Sequence, residues 1–319
     1  MKKIFCFLLS IMMILSFAAC GDDRNTTSGS GSDKVDENTV AIVNKAFAET
    51  DKALKAAKAL GYEMNIVMDV TMDGKTTSTR SGNKLTFIKG DTLKTAYTMV
   101  LKNDAVDVEM FMYSDGSNTY GATDGITYKL VPTADENEVQ LYLNKLPELV
   151  DFYDATKIAP IDTRIVNTSN GGYGFVLQYP VNELPDDFNV IFGENLDVFE
   201  NAKGQSIKVS GIIDDKSRLQ SQTVTYVFTY EYDSDITADV DPDNSEAVST
   251  TTEKKTATVE LSLQLAFNYG VTKVDMPDEI VVPKVDPDAE SAEKLKEISL
   301  TDFQLLAATG SSDSDSDDE

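Results

Sequence analysis

The spacing of apolar residues along the chain changes several times, and each change marks a predicted element. From residue 40 they recur mostly every three to four positions (Val40, Val43, Phe47, Leu54, Ala57, Leu60), which gathers side chains on one face of a helix. Asp36 or Asn38 serves as N-cap and Gly61 as stop, so one amphipathic helix is expected there. The period then drops to two. Tyr62, Met64, Ile66, Met68, Val70 and Met72 take every even position, with Glu63, Asn65, Asp69 and Thr71 between them and Val67 as the exception. That alternation predicts a half-buried strand. Asp73-Gly74 supplies two residues that accept positive φ, as a type I′ hairpin turn requires, so the chain should return antiparallel toward 86–88. Further strands are predicted at 93–101, 105–113, 118–121 and 126–131, separated by polar turns that include Asp115-Gly116 and Asp124-Gly125. The pattern is an antiparallel meander.

Helical spacing returns over 135–154, where Val139, Tyr142, Leu146, Leu149, Val150 and Tyr153 share a face and Pro147 predicts a kink or restart. Strands resume at 163–167 and, after Asn170-Gly171-Gly172, at 173–179. A further helix is expected over 187–201 from Phe188, Ile191, Phe192, Leu196 and Phe199, with Gly193 weakening its middle. Strands 205–213 and 219–232 flank the turn Asp214-Asp215-Lys216-Ser217, and 255–268 alternates as regularly as 219–232, so these last two should pair. Met276-Pro277 and Val282-Pro283 read as a closing extended segment, and 289–308 as a short peripheral helix.

This order predicts an α+β fold, mostly β: a strongly curved antiparallel sheet, or half-barrel, covered by about three helices. More apolar strand faces are present than those helices can cover, so an apolar groove is expected on the concave side. Its candidate lining is Met64, Met68, Met72 and Met110, together with Tyr226, Phe228 and Tyr230. Flexible thioethers and aromatics suit an adaptable binding surface, yet the same side chains also fill cores. Both readings stay open.

The ends of the chain set the compartment. Lys2 and Lys3 precede an apolar run from Ile4 to Phe17, which is shorter than the about 20 residues of a spanning helix and has the layout of a secretory signal. Ala18-Ala19-Cys20-Gly21 follows. These residues resemble the lipobox of bacterial lipoproteins, with Phe17 where that family usually has Leu. The resemblance implies removal of a signal peptide, 1–19, and diacylation of Cys20, so that the chain is anchored to a membrane in the cell envelope, outside the cytoplasm. An ordinary cleaved signal without lipid is the rival reading. The domains then read as a lipidated Cys and flexible Gly/Ser/Thr tether at 20–35, a half-barrel at 36–285 with an acidic insert at 233–252, the helix at 286–309, and a disordered acidic tail at 310–319.

Charge and composition narrow the function by exclusion. A formal net charge of -26 repels phosphate backbones, so nucleic acid is not an expected partner. The chain has no His, and its two Cys leave with the signal or carry the anchor. That removes Ser-His-Asp and Cys-His catalysis, His-based metal sites and an internal disulfide. Asp239-Val240-Asp241-Pro242-Asp243 looks like the start of a calcium loop, but Asn244 and Thr250 stand where the loop needs Gly and a bidentate Glu. The insert therefore reads as a solvated hairpin extension. No catalytic residue, metal site or cofactor is assigned, an enzyme is not expected, and the chain should be a monomer.

A helix leading into a Tyr/Met-rich strand is followed by Tyr113-Ser114-Asp115-Gly116-Ser117-Asn118-Thr119-Tyr120 and by Gly125-Ile126-Thr127-Tyr128-Lys129-Leu130. Over 38–282 this order resembles the half-barrel lipoproteins related to LolA and LppX/LprG, which fold an antiparallel sheet around helices and carry lipids or lipoproteins. The resemblance implies a cell-surface lipoprotein binding a lipid or acyl chain. It transfers no individual functional residue, and a structural or interaction lipoprotein with a filled core is the competing expectation.

Overall fold

Asp36 opens the described part of the fold as the cap of helix α1 (Glu37–Lys55). Its carboxylate accepts from the Asn38 N–H at 3.1 Å and from the Thr39 hydroxyl at 2.7 Å, occupying donors that the first helical turn leaves unpaired. The computed structural model describes residues 35–103, 106–132, 138–153, 159–180, 202–237, 250–283 and 294–309. The signal 1–19, Cys20 and most of its tether, the helix expected at 187–201, the middle of the acidic insert and the tail 310–319 lie outside those residues.

Helix α1 ends before the predicted stop at Gly61, because Leu60 already belongs to the alternating row of a strand and pairs opposite Phe87. The strands are β1 (Ala59–Met72), β2 (Lys75–Lys89), β3 (Leu93–Asn103), β4 (Val106–Ser114), β5 (Thr119–Thr123) and β6 (Ile126–Leu130). After helix α2 (Glu138–Lys145) and a 3-10 turn (Leu146–Leu149) come β7 (Asp162–Asn167), β8 (Tyr173–Pro180), β9 (Lys203–Ile213), β10 (Leu219–Thr237), β11 (Thr250–Asn268) and β12 (Lys296–Ile298). Helix α3 (Leu300–Thr309) ends the described chain. The turns Asp73-Gly74 and Asp124-Gly125 hold φ of 50° and 73°, and 50° and 74°, the left-handed pair that a tight hairpin needs. Pro147 ends α2 in the 3-10 turn, the expected kink.

The twelve strands among the described residues form one open, curved sheet in the order β12-β6-β5-β4-β3-β2-β1-β11-β10-β9-β8-β7. Neighbours run antiparallel except β12 beside β6. The expected pairing of the last two long strands is present, and it reaches further than the alternation suggested: Thr237 still faces Thr250. Both ends of the 233–252 segment are therefore ladder, since cross-strand hydrogen bonds override its unfavourable acidic composition.

The C-terminal segment corrects the sequence reading, because it is not peripheral. Strand β12 extends the sheet edge, and α3 turns its Leu300, Phe303 and Ala307 into the core. Phe303 is fully buried, lying 6.2 Å from the Tyr128 ring and directly over Gly121, where a Cβ would approach the phenyl to 2.6 Å. Two layers result, with α1 over β7 and β10, and α2 and α3 over the other half of the sheet. On the opposite face, the segment 271–283 brings Ile280 against Phe111 and Ala122.

Candidate functional site

Inward-facing positions of β1 to β4 change character along their length, and this creates the site. On β1, Leu60, Tyr62, Met64 and Ile66 are buried, whereas Met68, Val70 and Met72 are only half-buried. On β2 the inward row of Phe87 and Leu85 gives way to Asn83, which lies between Met64 and Met99 in the register. Above these strands, α2 with its 3-10 turn and α3 are short and do not meet the sheet everywhere. The gap is a cavity of ≈ 500 Å³.

Its floor is Tyr62 and Met64 of β1, Asn83 and Leu85 of β2, Tyr97 and Met99 of β3, and Met110 of β4. The helical roof contributes Tyr142, Leu146, Leu149 and Val150 on one side and Thr301, Gln304, Leu305 and Ala308 on the other. The lining is mostly apolar, and among the described residues it carries no Asp, Glu, Lys or Arg.

A polar cluster lines one part of this space. Tyr97 donates its hydroxyl hydrogen to Asn83 Oδ1 at 2.9 Å, and the Tyr142 hydroxyl and the Gln304 carboxamide line the same space close to this pair. The four come from β2, β3, α2 and α3. Tyr62 donates to Met64 Sδ at 3.7 Å and has Asp151 nearby. Burial pushes the phenols of Tyr62, Tyr97 and Tyr142 above the ordinary tyrosine range, with the Asp151 carboxylate adding to the effect at Tyr62 and the Tyr142 hydroxyl adding to it at Tyr97. They stay protonated at neutral pH and act as uncharged donors and acceptors.

Of the residues singled out from the sequence, Met64 and Met110 face the cavity. Met68 and Met72 lie farther along β1 toward the hairpin tip, half-exposed, and Tyr230 sits there with its hydroxyl 3.9 Å from Met72 Sδ. Tyr226 and Phe228 are buried in packed core, with Tyr153 set edge-on against Tyr226 at 6.0 Å. These five are not brought to the cavity, because a shared strand face is divided among whatever packs over each stretch of it. Cys20 lies outside the described residues. Tyr97, Tyr142, Asn83 and Gln304 were not among the expected lining. Tyr142 carried a signal in the helical stripe of 135–154, and Asn83 in the interruption of an apolar row, but Gln304 carried none.

No protein-family model and no curated protein matches the chain. Among solved structures it is similar to LprF from Mycobacterium bovis, at 9% identity and a TM-score of 0.31, covering 77% of this chain and 99% of that one. A putative outer membrane lipoprotein-sorting protein domain from Vibrio parahaemolyticus is similar at 10% identity and a TM-score of 0.20, covering 74% and 95%. A DUF1329 family protein from Desulfovibrio piger ATCC 29098 follows at 11% identity and a TM-score of 0.21, covering 73% and 95%.

Proposed function

We propose that this protein is a membrane-anchored lipoprotein whose half-barrel binds the acyl chain of a lipid, with Cys20 as the acylated first residue that keeps it outside the cytoplasm. The observation that supports the binding role is the ≈ 500 Å³ cavity between β1–β4 and the two short helices. Small-molecule sites commonly enclose about 300–1,000 Å³ and combine apolar walls with a few placed polar groups. Each methylene moved out of water contributes about 0.8 kcal/mol before ordering costs, so an alkyl chain gains affinity here without a charged contact. Binding rather than catalysis fits the lining, where phenols, thioethers and carboxamides surround the space. Two acyl groups on Cys20 would anchor the chain stably, where one is marginal. We read it as a monomer.

The test is native mass spectrometry on the full chain carrying Cys20→Ala, which should also lose fatty-acid labelling and leave the membrane fraction. Lipid should co-purify with that protein and be lost when Met64→Lys or Met110→Glu is added. Lipid retained in those variants, or a lipid-free parent that takes up no amphiphile, would favour an interaction lipoprotein with no small ligand.

A further inference from the structure

The cavity's apolar walls account for an alkyl chain, but they leave Asn83, Tyr97, Tyr142 and Gln304 without a role in holding one. Four polar side chains, drawn from β2, β3, α2 and α3, line a space whose other walls are Met, Leu, Ala and Val150 with Tyr62 and Thr301; Tyr97 is buried and Asn83, Tyr142 and Gln304 are half-buried. Burying such groups is costly unless they are hydrogen-bonded, and an apolar ligand alone would be held as well by a fully apolar lining. Their placement is specific: Tyr97 bonds Asn83 across neighbouring strands, and Tyr142 and Gln304 face the same space from the two roofing helices.

The charge around the cavity is also informative. Among the described residues the lining has no cation to pair with a carboxylate or phosphate. Two carboxylates do stand beside lining residues: Asp151 acts on Tyr62, and Glu138 Oε2 accepts from the Thr301 hydroxyl at 3.2 Å. An anion entering here would lose its hydration, gain no counter-charge and meet repulsion. Phenols and carboxamides instead offer donors and acceptors that match a hydroxyl or an ester carbonyl.

We propose that the Asn83–Tyr97–Tyr142–Gln304 cluster receives an uncharged polar group of the bound lipid, a hydroxyl or ester, so that the cavity selects neutral amphiphiles over fatty-acid anions. This rests on the acyl-chain reading of the cavity and adds the chemical class of its ligand. Tyr142 and Gln304 are specificity-determining residues in this scheme, since they sit on the roof and close the polar cluster over the ligand.

The experiment compares methyl laurate, laurate, laurylamine and dodecane on the full chain carrying Cys20→Ala, reading dissociation constants by native mass spectrometry at neutral pH. The four share an alkyl tail and differ at its end. Methyl laurate should bind at least about tenfold more tightly than laurate, because only the ester enters without leaving a charge unpaired. Tyr142→Phe and Gln304→Leu should each weaken methyl laurate several-fold while leaving dodecane unchanged, a split that a merely structural loss would not produce. Laurate or laurylamine binding as tightly as the ester, or the two variants weakening dodecane equally, would overturn the selectivity while leaving an acyl cavity in place. Binding of none of the four would overturn the cavity reading and this inference together.

Discussion

The two halves of the sheet carry the same alternation of apolar and polar residues but bury it differently. In the half that carries α1, strands β8 to β11 bury their inward rows: Val209, Val224, Phe228, Val259 and Leu263 have no measurable exposure, and Phe47 sits 6.2 Å from Phe175. Thr50 ties the layers together, donating to the Ala46 carbonyl and accepting the Leu219 N–H, both at 2.7 Å. Under α2 and α3, strands β1 to β4 leave ≈ 500 Å³ unfilled. The contrast follows from the covers. Helix α1 is 19 residues long with buried Val43, Ala46 and Phe47 along one stripe. The other half is roofed by helices of 8 and 10 residues, and α3 is drawn toward the sheet edge where Phe303 occupies the hollow over Gly121. A cavity here is thus the space between two short covers rather than a property of any one strand.

The sharpest way to break this comparison is to truncate one residue on each side. Phe228→Ala should cost about 3–5 kcal/mol, since the filled half cannot collapse around the void. Met110→Ala should stay near the low end for methionine, about 2 kcal/mol, because one side of that residue already faces open space and loses fewer contacts. Urea denaturation of the two variants checks the ordering, and equal losses would mean that the two halves pack alike.

Gly121→Ala tests the roof alone. A methyl group there meets the Phe303 ring, so α3 must shift, at about 1–3 kcal/mol of overpacking. Earlier proteolysis within 294–309, with hydrogen exchange in α1 unchanged, is the expected result. Uniform destabilisation would show that the halves are not separable.

The smallest effect concerns the cap of α1 and depends on pH. The Thr39 hydroxyl and the Asn38 N–H favour the charged form of Asp36, holding its carboxyl below the ordinary aspartate range. A carboxylate depressed in the folded state contributes above its unfolded pKa, and the contribution is lost as pH falls through the folded value. Asp36→Asn keeps a capping oxygen but loses the charge. The parent's advantage over this variant should therefore hold above about pH 4 and fade below it, as thermal melts across the acid range would show.

Much of the fold was legible from local pattern. The β1 alternation, both Asp-Gly turns, the Pro147 kink and the cap, narrowed to Asp36 or Asn38, each depend on neighbours within a few positions, and the β10–β11 pairing followed from two segments of matching alternation. Where reading failed, long-range partners decided. Leu60 fits either a helix stripe or a strand row, and pairing with Phe87 assigned it to the strand. The 289–308 segment looked peripheral because its edge pairing with β6 and its hollow at Gly121 lie far away in sequence.

The site divides in the same way. Sequence alone determined an apolar-faced, antiparallel sheet, the lack of His and a strongly acidic charge, because period, turn chemistry and composition act locally or by simple count. It also singled out Met64 and Met110 as inward residues. Only the tertiary structure decided that Met68, Met72 and Tyr230 lie beyond the cavity while Tyr226 and Phe228 are core, and that Asn83, Tyr97, Tyr142 and Gln304 line one space. The physical reason is that alternation fixes which face a side chain takes, whereas packing fixes what covers that face, and a cavity exists only where the covers fall short.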